Sequence, residues 1–177
     1  MVKFLKILLG VLIALVVVIP VAGFFLFRSP LPNHSDDISG LPLNDFVEVM
    51  RDDRGIPHIY GTNVDDILFA QGYIHAQDRF WQLEFWSHLS TGRLASLIGE
   101  PGIGADLLFR TYGFNRVAEK EYEQMTPEMK NDLIQYAKGI NAYIDSKPQR
   151  KLSLEQFFLT FLNPDYVVDE YLPHYPL

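Results

Sequence analysis

The segment from Ile67 to Leu89 (ILFAQGYIHAQDRFWQLEFWSHL) constrains this chain more than any other. It carries no proline, and Asn63 ahead of it is a natural N-cap, with Asp65 and Asp66 where a helix dipole favours negative charge. It therefore predicts one long helix from about Asn63 to Thr91, stopped by Gly92. On a helical wheel Leu68, Phe69, Tyr73, Ile74, Phe80, Trp81, Leu83 and Phe85 cover most of the circumference instead of one stripe. A helix apolar on all sides belongs in the core of a large protein or in a membrane, and this one has too many polar residues for a membrane. Each large aromatic ring left in water forfeits several kcal/mol, at about 25 cal/mol per Å². The segment demands more surrounding protein than the other, partly polar helices supply.

A second element makes a similar demand. Phe46 to Met50 alternates and is β-branched, Asp52-Asp53-Arg54-Gly55 is a turn, and Ile56 to Tyr60 is a second short strand. Pro57 restricts its strand to a sheet edge or a bulge. A lone hairpin is marginal in water, and the rest of the chain offers no further strand. Helices are expected at about Asp106–Gln124, from Thr126-Pro127 to Pro148, and at Leu154–Leu162.

Ile7 to Phe27 is a run of 21 residues without a charge, preceded by Lys3 and Lys6 and followed by Arg28. At about 1.5 Å per residue it matches a bilayer's hydrocarbon thickness. The reading adopted is an uncleaved membrane anchor over residues 1–28, because Phe24 to Phe27 keep the run apolar past Val21-Ala22-Gly23. The alternative is a signal peptide cleaved at that small-residue site, leaving a secreted or periplasmic body. Either way the charge flanks place the C-terminal part on the extracytoplasmic side. Residues 29–44, rich in Pro, Ser, Asp and Gly, form a linker, and residues 45–177 the domain.

Beyond residue 28 there are 12 Lys and Arg against 22 Asp and Glu, which argues against nucleic acid as a partner. There is no Cys, so disulfides, thiolate metal sites and a cysteine nucleophile are excluded. His75, Asp78 and Arg79 share one face of the long helix at i, i+3 and i+4. With His58 they are read as a structural polar core joining helix and hairpin; no nucleophile stands beside them and no further ligand at metal spacing. His174 lies by a proline-rich end and is expected to be exposed.

Residues 47–60 (VEVMRDDRGIPHIY), 69–84 (FAQGYIHAQDRFWQLE) and 90–94 (STGRL), followed by 136–144 (YAKGINAYI) and 154–157 (LEQF), closely resemble the start of the α-chain in the penicillin amidase family. That family also includes acyl-homoserine-lactone acylases and other N-terminal-nucleophile amide hydrolases. The resemblance covers about residues 45–165. It implies an α+β fold: a β-hairpin and a mainly helical portion of an αββα sandwich, incomplete here. It implies a precursor that cuts itself, a β-chain whose N-terminal Ser uses its own α-amine as base, and an oxyanion hole made by that β-chain. Calcium is possible in the complete enzyme, none being expected in this chain. After Asn163-Pro164-Asp165-Tyr166 the sequence departs from the family pattern, and the cleavage site, nucleophile and calcium carboxylates have no counterpart. The serines at 29, 35, 39, 87, 90, 96, 146 and 153 follow no processing site, so no catalytic residue is carried over. The chain alone is therefore expected to be inactive for want of its β-chain. A stand-alone membrane-tethered binding or structural protein reusing this module is the alternative.

Overall fold

A computed structural model describes residues 2–28, 31, 37–147 and 153–162 of the 177. His174 and the other residues beyond 162 lie outside the described residues. In chain order the elements are α1 (Val2–Arg28), β1 (Glu48–Arg51), β2 (Pro57–Tyr60), α2 (Val64–Ser90), α3 (Ala95–Ile98), a 3-10 turn (Glu100–Gly102), α4 (Ile103–Tyr112), α5 (Phe114–Gln124), α6 (Pro127–Asp145) and α7 (Leu154–Leu162).

α2 begins where its capping residues place it. Asn63 is extended (φ −136°, ψ 156°), and its side chain accepts from the Asp66 N–H at 2.9 Å. α6 starts with the expected pairing, the Thr126 hydroxyl accepting from the Met129 N–H at 3.3 Å ahead of Pro127. One helix was expected over Asp106–Gln124; there are two, because Gly113 adopts a left-handed conformation (φ 74°) that ends α4 and starts α5. α3 was not expected either.

The core is the crossing of α2 on α6. Tyr73, Ile74, Ala76 and Phe80 of α2 meet Ile140 and Tyr143 of α6, with Leu41, Leu83, Tyr136, Ala142 and Ile144 around them. Leu41, placed by sequence in the linker, thus touches the core. The rings of Tyr73 and Tyr143 meet edge to face, 5.4 Å between centroids. Two glycines permit the approach. A Cβ on Gly72 would stand 2.0 Å from the Tyr136 carbonyl oxygen, and one on Gly139 1.9 Å from that of Phe69. Each helix therefore puts bare backbone against the other's.

α6 covers only one side of α2. Trp81, Leu83 and Phe85 remain half-buried, and Trp86 is 56% exposed. Along α4 and α5, Leu107, Leu108, Tyr112, Phe114 and Val117 are exposed too.

At the N-terminus the expected helix is present, α1 enclosing the whole run 7–27. Its crossing of a membrane, expected from sequence, is not supported: among the described residues no helix is long and apolar enough to span a bilayer. Apolar side chains of α1 such as Phe4, Ile7, Leu12 and Phe25 are exposed.

Candidate functional site

The hairpin is fastened to the middle of α2 by a polar junction. In the β1–β2 pair Val49 stands opposite Ile59 and Arg51 opposite Pro57, so Val47, Val49, Arg51, Pro57 and Ile59 share one face. From that face the Arg51 guanidinium reaches α2 and grips Asp78 with both Nη atoms, at 2.8 Å and 2.9 Å. Nη2 also donates to Gln77 Oε1 at 3.1 Å, and Nη1 to the Gly55 carbonyl at 3.1 Å. One fork thus ties strand, turn and helix together, in the two-point geometry that makes arginine–carboxylate pairs specific. Both side chains are mostly sheltered, 18% and 24% exposed.

The four residues singled out by sequence do not converge. Asp78 turns to Arg51 of β1. His75 is exposed and takes another partner, its Nδ1 2.9 Å from the Tyr136 hydroxyl of α6, with the two rings edge to face. Arg79 is exposed and has non-helical angles (φ −139°, ψ 29°) inside α2, so the shared face of an ideal helix is broken at this residue. His58, on the hairpin's outer face, stands 3.6 Å from Asp52 across the turn. The Asp52 carboxyl is held below the usual range by the Ile56 N–H, against desolvation and with help from the Arg54 N–H and His58. Sequence reasoning missed Arg51. The period of two, read on from Val47 and Val49, would have put it on the buried face.

Four other buried polar residues find partners at helix ends or within α2. Asp66 accepts from the Asn44 N–H (3.0 Å), Asn44 Nδ2 (3.2 Å), the Asp45 N–H (2.8 Å) and Asn63 Nδ2 (2.6 Å), tying residues 44–45 to the start of α2. Desolvation pushes its carboxyl up, yet these donors together pull it below its ordinary value. Asp106 of α4 accepts from the Leu94 N–H at 2.6 Å and the Ala95 N–H at 3.0 Å, and so caps α3. Glu84 and His88 are buried one turn apart, His88 Nδ1 lying 3.0 Å from the Glu84 carbonyl and 3.7 Å from its carboxylate. Burial raises the Tyr143 hydroxyl to about 12, with Tyr73 and Asp78 adding to the effect.

As for reacting groups, the hydroxyls of Ser90, Ser96 and Ser146 donate to the carbonyls of Ser87, Arg93 and Tyr143, and that of Ser153 accepts from the Gln156 N–H. Among the described residues no cluster of three or more His, Asp or Glu side chains has metal-binding geometry. The arrangement can position a hairpin on a helix; among the described residues it offers no nucleophile set beside a base.

Fold comparison places this architecture. The chain is similar to a thermostable penicillin G acylase from Alcaligenes faecalis, with a TM-score of 0.53 at 21% identity, over 68% of this chain and 72% of the solved one. The two share a fold. Residues 46–173 match the sequence profile of the penicillin amidase family, and the chain belongs to that family. Among its relatives, penicillin acylase 2 proenzyme of Pseudomonas sp. (strain SE83) is 36% identical over 119 residues, 67% of this chain and 15% of that protein. The acyl-homoserine lactone acylase QuiP of Pseudomonas aeruginosa is 36% identical over 107 residues, 60% of this chain and 12% of that protein. Penicillin G acylase of Escherichia coli is 30% identical over 99 residues, 56% and 12% respectively. The chain thus spans well under a fifth of the length of the curated relatives it matches. An acylase-type relationship follows directly.

Proposed function

We propose that the chain is the N-terminal part of a membrane-anchored, exported acylase that hydrolyses linear amide bonds of the acyl-amide or acyl-homoserine-lactone type. The observation that carries this reading is the family match over residues 46–173, together with relatives that are all named as acylases and of which the chain spans only a small share. The relative of Pseudomonas sp. is named a proenzyme, and the solved chain, covered to nearly the same share as this one, has about this chain's length. Both suit a precursor cut into a short first chain and a longer second one. In this reading the second chain supplies the serine nucleophile, its α-amine base, the oxyanion donors and any calcium site. This chain contributes the hairpin and the helices that back them. The half-covered α2 and the exposed faces of α4 and α5 support a larger assembly, since apolar area of this extent is costly in water.

Anchoring rests on the uncharged run from Ile7 to Phe27, flanked by Lys3, Lys6 and Arg28, and on the exposed apolar side chains of α1. The domain then lies on the extracytoplasmic side.

Two measurements test the proposal. The purified chain, incubated with a chromogenic phenylacetyl amide and with an acyl-homoserine lactone, hydrolyses neither; turnover refutes the division of labour. Co-expression with a Ser-initiated second chain of the family restores hydrolysis. Alkaline carbonate washing of membranes leaves the chain in the pellet, whereas removing residues 1–28 releases it; release of the intact chain refutes the anchor.

A further inference from the structure

We draw no further inference here: the strongest candidate, the exposed apolar surface patch of Leu107, Leu108 and Tyr112 on α4 with Phe114 and Val117 on α5, carries none because nothing in the structure shows what covers it.

Discussion

Replacing Gly139 by alanine probes the packing at the centre of this fold. Helix propensity alone makes the substitution favourable, by about 1 kcal/mol. The crossing opposes it, because the new Cβ would stand 1.9 Å from the Phe69 carbonyl oxygen and 2.8 Å from the Tyr73 nitrogen. Both are backbone atoms of α2, so no side chain can swing away, and α6 must retreat by about 1 Å. Phe69, Tyr73, Ile140 and Tyr143 are buried at that crossing. At about 2 kcal/mol each they hold roughly 8 kcal/mol of burial. A gap approaching 1 Å forfeits between a quarter and a half of contact attraction, or about 2–4 kcal/mol. With the propensity gain subtracted, Gly139→Ala should destabilise by about 1–3 kcal/mol, near the range for overpacked cores. For a chain of this size that lowers the melting temperature by roughly 3–10 °C, read by circular dichroism at 222 nm in detergent. Gly72→Ala meets the Tyr136 carbonyl oxygen at 2.0 Å and should behave alike. The double variant should cost less than the sum, since one displacement relieves both clashes. An unchanged or raised melting temperature for Gly139→Ala would refute the close crossing.

Other perturbations separate the polar elements. Asp78→Ala leaves the Arg51 fork without its carboxylate and should cost about 1–3 kcal/mol; Arg51→Met in the same background should add little, and full additivity in that double-mutant cycle would deny the pairing. Asp66 has a depressed carboxyl, so its contribution is present above the unfolded value near 4 and is lost as pH falls through the lower folded value. Asp66→Asn should therefore lower the melting temperature at pH 7 and flatten its decline below about pH 4; an identical acid slope in both proteins counts against this. Tyr143 is raised to about 12, so the neutral phenol's contribution is intact below the unfolded value near 10 and is lost as pH rises towards 12. Tyr143→Phe should reduce alkaline destabilisation over pH 10–12 in urea titrations, and an unaltered alkaline limb would refute that.

Most of the element map was legible because it rests on short-range chemistry. The cap at Asn63, the Thr126-Pro127 start and the Asp52–Gly55 turn each act within a few residues, and the helix from Leu154 to Leu162 emerged where its apolar pattern put it. The break at Gly113 was missed because a glycine inside a helical pattern is only mildly unfavourable until its φ turns positive. The polar residues take partners that their wheel positions do not show, for a related reason. His75, Asp78 and Arg79 are neighbours on an ideal helix, but Asp78 takes a partner 27 residues upstream and α2 departs from helical angles at Arg79.

By itself the sequence determined that α2 is apolar on several sides, that the hairpin has a proline on one strand only, and that the motifs are those of the penicillin amidase family. These are properties of residue order, set by local sterics and side-chain polarity. Only the tertiary structure decided that α6 covers α2 through two glycines and that Arg51 claims Asp78. Such choices depend on distances between residues far apart in the chain, which packing settles and sequence spacing cannot.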